Sequence, residues 1–142
     1  MTQRLRVFFD VDDTIRTWDG RLRPFARDIF EVLHGSGFEV ALWSGAGVRW
    51  EVAHAHDLSP FLSGCYLKPL SRHHERLGEC GIRAAPDHVV DDDDEIVAVF
   101  GGTLVSAPLE PLAEDRELLR VITDLRRRFP AHPLPELADL RL

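Results

Sequence analysis

Three aspartates fall within residues 7–15, VFFDVDDTI, directly behind an apolar run. Like charges at Asp10, Asp12 and Asp13 repel one another unless something positive sits among them. Such a turn is either solvated acid or half of a site for a hard cation, whose preferred ligands are carboxylate oxygens. A second acidic cluster, DDDDE at residues 91–95, again follows an apolar stretch, HVV. Between the two lie Ser44, which closes the run FEVALWS, and a lysine in CYLK. Of the 17 basic residues 16 are arginine, and Lys68 alone is lysine, which suits a position wanting a compact point charge on a flexible stem.

Groups so far apart in the chain can meet only on a scaffold. Residues 5–11, 38–43, 65–68 and 88–90 read as buried strands, the third stopped by Pro69. Asp19-Gly20 marks a hairpin turn within residues 16–24, and Pro24 suits the first turn of the next helix. Phe25, Ile29, Val32 and Leu33 share one face of that helix, with Gly35 or Gly37 closing it. Further helices are expected over residues 48–57, 70–80 (ending at Gly81) and 110–129, the last striped with Leu112, Leu118, Leu119, Ile122 and Leu125. Residues 96–100 read as a short helix and 103–107 as a strand. Strands alternating with helices imply a three-layer α/β/α, Rossmann-like fold with a parallel sheet. The 142 residues fit one domain, with a core over about 4–129 and a tail, 130–142, that holds three prolines and either wraps the surface or frays. In such sheets the binding crevice lies at the carboxyl ends of the strands. That edge gathers Asp10, Asp12 and Thr14, then Ser44, Lys68, and Asp91 with Asp92.

This constellation resembles the haloacid dehalogenase-like superfamily of phosphohydrolases. Its motifs are an apolar strand with Asp-x-Asp-x-Thr (VFFDVDDT), a strand ending in a hydroxyl residue (VALWS), a lysine (Lys68) and a strand ending in an acidic pair (HVVDD), in order over residues 7–92. The resemblance implies a magnesium-dependent phosphatase. Asp10 is then the nucleophile that forms an aspartyl-phosphate, and Asp12 the general acid and base. Thr14, Ser44, Gly45 and Lys68 hold the phosphate, with Lys68 also countering charge in the transition state. The magnesium falls to Asp10, the main-chain carbonyl of Asp12, and Asp92, with Asp91 a ligand or close by. Whether Asp93, Asp94 or Glu95 supplies a further acid stays open. The second aspartate favours phosphoryl transfer over dehalogenation. The intervals Thr14–Ser44 and Ser44–Lys68 are too short for a cap domain, so a small, capless member is expected. Its substrate is then a macromolecule such as a phosphoprotein, or a small metabolite covered by a neighbouring subunit in a homo-oligomer. Arg16, Arg21 and Arg23 of the hairpin are candidate contacts for a second anionic group.

Two other functions fit parts of the pattern: a phospho-accepting receiver-like signalling domain and a catalytically silent binding relative. A receiver carries its lysine after the last of these strands, whereas here Lys68 precedes the second acidic cluster. The net charge of −7 argues against a chain that coats nucleic acid. No apolar run reaches the about 18 residues needed to span a membrane, and the start lacks the apolar core of a signal peptide. A cytoplasmic protein with free thiols at Cys65 and Cys80 is expected. His54, His56, His73 and His74 lack a shared helical face and read as surface or second-layer residues. Trp18, Trp43 and Trp50 read as packing residues, Trp18 nearest the site. The RRR run at 126–128 suits a helix end.

Overall fold

Alternation of large apolar side chains sets the sheet. In the computed structural model, which describes residues 4–142, Val7 and Phe9 of β1 (Arg6–Phe9) join one core and Phe8 the other. In β2 (Glu39–Ser44), Val40 and Leu42 oppose Ala41 and Trp43 in the same way. β3 (Leu62–Leu67), β4 (His88–Asp91) and β5 (Gly102–Leu104) complete a parallel sheet in the order β3-β2-β1-β4-β5. Strands buried on both faces need no polar alternation, which is why VFF and VALW are unbroken apolar runs.

α1 (Ala26–Gly35), α2 (Trp50–Ala55) and α4 (Arg120–Arg128) cover the Phe9 face with Ile29, Phe30, Leu33, Val52, Val121, Ile122 and Leu125. α3 (Asp94–Phe100) and the β3–β4 connection cover the Phe8 face with Ile96, Phe100, Leu77 and Ile82. Each such side chain, fully buried, contributes about 1.5–3 kcal/mol. The result is the three-layer, Rossmann-like parallel α/β arrangement expected from the strand–helix alternation. Its order matches the first five strands of the Rossmann sheet and differs from the 2-1-3-4-5 order of flavodoxin-like sheets, to which receiver domains belong. The helices that follow the neighbours β1 and β4 leave to opposite faces, so a crevice opens between their carboxyl ends, the switch point where such sheets bind ligands.

One expected helix is replaced by turns and another loses its first half to them. Over residues 70–80 only Gly78–Cys80 is helical, as a 3-10 turn. Pro69 offers no N–H, Arg72 takes a left-handed φ of 49°, and the His73 ring folds back with Nδ1 3.1 Å from the Pro69 carbonyl. Over 110–129, α4 begins only at Arg120, preceded by 3-10 turns at Leu112–Glu114 and Glu117–Leu119. Between those turns Asp115 is extended, held by two 2.9 Å bonds from the Arg23 guanidinium. Pro24 precedes α1 rather than entering it, because Phe25 at φ 70° turns the chain and the helix starts at Ala26. α2 is shorter than residues 48–57, ending before Asp57 at φ 55°. β3 starts at Leu62 rather than residue 65, and β5 is Gly102–Leu104 rather than 103–107. At Gly102 the strands approach so closely that a β-carbon would lie 1.9 Å from the Val89 carbonyl oxygen.

The tail does wrap the surface: Leu134 is buried, and Leu137 and Leu140 pack on the α1–α4 core. Cys65 and Cys80 are free thiols. Among the described residues, no helix is long and apolar enough to cross a membrane.

Candidate active site

Asp10 leaves the end of β1 with its N–H donating to the Val90 carbonyl at 2.9 Å, which pins the β1 and β4 ends together. The chain then turns tightly, with the Thr14 and Ile15 amides both donating to the Val11 carbonyl. This turn points Thr14 back: its hydroxyl donates to Asp10 Oδ2 at 3.0 Å. Thr14, expected beside the phosphate, is fully buried and orients the Asp10 carboxylate.

Lys68 follows the edge strand β3 and reaches past the end of β2 to the β1–β4 crevice, two strand spacings or about 10 Å. Its N–H donates to the Ser44 carbonyl at 2.9 Å, fixing the root of the side chain. Its ammonium donates to Asp10 Oδ1 at 3.1 Å and to Asp91 Oδ2 at 3.0 Å. The Asp93 amide donates to the other Asp91 oxygen at 3.0 Å. Asp92 stands exposed beside them, and carboxylate oxygens of Asp10, Asp91 and Asp92 lie within 4.8 Å of one another.

Two buried carboxylates on one ammonium, with the exposed Asp92 beside them, leave uncompensated negative charge. Burial first, and then the Asp91 charge, push the Asp10 carboxyl up to about 7, with Lys68 opposing. Burial also pushes Asp91 up to about 6 against the pull of Lys68. Burial pulls the Lys68 ammonium down, yet the two carboxylates outweigh it and its pKa is raised. The donor set is hard oxygen with surplus negative charge, so it could hold a hard metal ion. Asp92 is the exposed member of the three, and its hydrogen-bond contact with Asp10 adds to the rise of the Asp10 carboxyl.

Asp12 faces elsewhere. Its carboxylate accepts from Arg16 Nη2 at 3.3 Å and from Arg49 Nη1 at 2.7 Å, and it stays outside the three-carboxylate cluster. Arg49 was not legible as a site residue; its only sequence signal is a basic side chain five positions beyond Ser44. Ser44 is buried, and its Oγ accepts from the Ala46 amide at 3.1 Å, which leaves the hydroxyl proton free for an anion. At Gly45 a β-carbon would come within 2.6 Å of Leu70 Cδ2, so the loop is closely covered there.

The hairpin arginines are engaged within the chain. Arg23 is buried on Asp115 and the Thr14 carbonyl, so it supports the Asp10 turn. Arg21 binds Asp19 and Glu110, and Arg16 binds Asp12. Among the described residues no histidine joins the carboxylates. His73 is buried against Phe100, with Nε2 3.6 Å from Glu95, and His54 stacks on Trp50. His88, unremarked in the sequence, is buried at the far end of β4, where its ring contacts Thr103 and Arg128. Trp43 packs edge-on against Phe8, whereas Trp18 is 86% exposed on the hairpin. Beside the cluster opens a cleft of about 920 Å³, bounded by Lys68, Asp92, Leu104 and Arg120.

Compared with known protein families, curated proteins and solved structures, the chain matches none.

Proposed function

We propose that this protein is a magnesium-dependent phosphatase of the haloacid dehalogenase-like type, hydrolysing phosphate monoesters through an aspartyl-phosphate on Asp10. One observation carries the reading: the Lys68 ammonium bridges Asp10 and Asp91 beside Asp92, at the strand ends where a parallel sheet binds ligands. A phosphate dianion approaches a carboxylate only where positive charge offsets the repulsion. Asp10, Asp92 and Asp91 would hold magnesium, which supplies further positive charge at the phosphate oxygens.

The chain's own groups account for both half-reactions. Thr14 and Lys68 fix the Asp10 carboxylate from two sides. An Asp10 oxygen attacks phosphorus, the ester P–O bond breaks, and the leaving alkoxide takes a proton from Asp12, whose carboxyl has to turn from Arg16 and Arg49 toward the leaving oxygen to give it. Water then attacks the aspartyl-phosphate and gives its proton to Asp12, and the P–O bond to Asp10 breaks to release inorganic phosphate. The Ser44 hydroxyl donates to a phosphate oxygen, with the Gly45 amide beside it, while the Ala46 and Gly47 amides already donate to Ser44. Arg16 and Arg49 steady Asp12 at the rim.

The stretch from Thr14 to Ser44 holds a small hairpin, α1 and β2, and that from Ser44 to Lys68 holds α2, one 3-10 turn and β3. These contents support a capless reading with an open site. The strand order weighs against the receiver-like alternative. The test is turnover of p-nitrophenyl phosphate and a broad phosphate-ester panel. Activity should require magnesium and disappear in Asp10→Asn; wild-type protein without metal-dependent turnover on any ester would sink the reading.

A further inference from the structure

The cleft beside the carboxylates does not stop at Arg120. A second depression of about 510 Å³, reaching Leu109, Pro111 and Glu114, shares Ser106, Glu117 and Arg120 with the first, of about 920 Å³. Together they form one open groove from Lys68 and Asp92 over the end of β5 and along the β5–α4 connection. The joined groove runs well beyond the carboxylates, as an extended ligand requires.

The groove also has a chemical bias. Leu109 is 72% exposed and Leu104 41%, so apolar side chains line it without a partner. Arg120 is tied to Glu117 and to the Leu104 carbonyl. Arg116 also lines the groove, over the Phe25 ring, but seven acids line it against three cations, Lys68, Arg116 and Arg120, and Asp93, Asp94 and Glu114 form no salt bridge among the described residues, which leaves the walls acidic on balance. A nucleic acid is repelled by such walls, and so is a second copy of a chain with net charge −7. A basic polypeptide is complementary to them.

We infer that the groove seats a phosphorylated polypeptide. Its phosphate enters at Lys68, its flanking arginines or lysines lie against Asp93, Asp94 and Glu114, and an apolar side chain covers Leu109. The inference rests on the phosphatase reading of the site and names its substrate class.

The test uses the full chain with magnesium and four probes: a short phosphoserine peptide flanked by arginines, the same peptide flanked by glutamates, a 5′-phosphorylated oligonucleotide, and p-nitrophenyl phosphate. The arginine peptide should exceed the glutamate peptide in kcat/KM by about tenfold, with the gap narrowing as salt rises. Glu114→Arg should shrink or reverse that preference. Leu109→Asp should lower kcat/KM for the arginine peptide relative to p-nitrophenyl phosphate. Both side chains are exposed, and an unchanged melting temperature verifies that the variants fold. Turnover of p-nitrophenyl phosphate with equal rates on the two peptides, a preference for the oligonucleotide, or a dimer dissociated by Leu109→Asp overturns the groove inference and leaves the phosphatase reading standing. If nothing is turned over, the phosphatase reading fails. Fluorescence anisotropy then decides the groove: selective binding of the arginine phosphopeptide supports it, and no selectivity overturns it.

Discussion

Neutralising the proposed nucleophile is expected to stabilise the metal-free protein. Burial and the Asp91 charge lift the Asp10 carboxyl from 3.8 to about 7. A carboxyl raised in the folded state keeps a proton that the unfolded chain has already lost between those pH values. Its contribution to stability is complete below pH 3.8 and is lost as pH rises through about 7. Above that pH the ionised group costs about 4 kcal/mol relative to the unfolded chain. Asp10→Asn removes the charge and keeps an oxygen for Thr14, but it leaves Lys68 with Asp91 as its one carboxylate partner. Half of the cost, about 2 kcal/mol, is therefore the expected gain. Urea denaturation in chelator at about pH 8 should show it, and at about pH 4.5 the gap should fall below about 1 kcal/mol. Magnesium should then raise wild type more than the variant, because it binds the folded cluster of three carboxylates. A variant no more stable than wild type at the higher pH, or a gap that does not change with pH, would refute the account of the buried charge.

Three further outcomes follow from buried contacts. Gly102→Ala drives a β-carbon to 1.9 Å from the Val89 carbonyl and should cost about 3 kcal/mol; a melting temperature within about 2 °C of wild type argues against that approach. Arg23→Met leaves Asp115 buried without its partner and should cost about 3–5 kcal/mol in urea denaturation. Adding Asp115→Leu should recover most of it, and no recovery would assign the loss to packing instead. Burial, then the Arg128 charge, push His88 down to about 3, so its contribution is present above pH 6.5 and is lost as pH falls toward 3. His88→Gln should flatten the acid side of the stability profile measured by melting temperature; an unaltered slope would count against a neutral buried ring.

Much of the scaffold was legible because the sheet is buried on both faces. Runs such as VFF and VALW admit few other readings, and parallel strands bring their carboxyl ends to one edge whatever their separation in sequence. That is how Asp10, Ser44, Lys68, Asp91 and Asp92 could be grouped. Asp93 too behaves as an acidic helix start should, its side chain accepting from the Glu95 amide. What escaped depends on partners chosen at long range. The Arg23–Asp115 pair spans 92 positions and breaks the helix that the leucine stripe of 110–129 suggests. His73 bending onto the Pro69 carbonyl undoes the helix at 70–80. Arg49, 37 positions from Asp12, turns that carboxylate away from the cluster, and no local pattern announces it. The acidic groove was equally hidden, since it is formed by the irregular β5–α4 connection rather than by any periodic element.

Lys68 directly follows an edge strand, β3, while the carboxylates it joins lie at the ends of strands inside the sheet. The centre is therefore assembled only while an edge is docked. Should β3 peel from β2, the ammonium is withdrawn and the β1–β4 pair stays closed, so competence fails at a lower threshold than the fold does. The proposed site is then a gauge of edge cooperativity. Under mild urea, loss of the proposed phosphatase activity should run ahead of global unfolding and coincide with hydrogen exchange at the β3 amides; simultaneous loss of all three signals would show that edge and core melt as one unit.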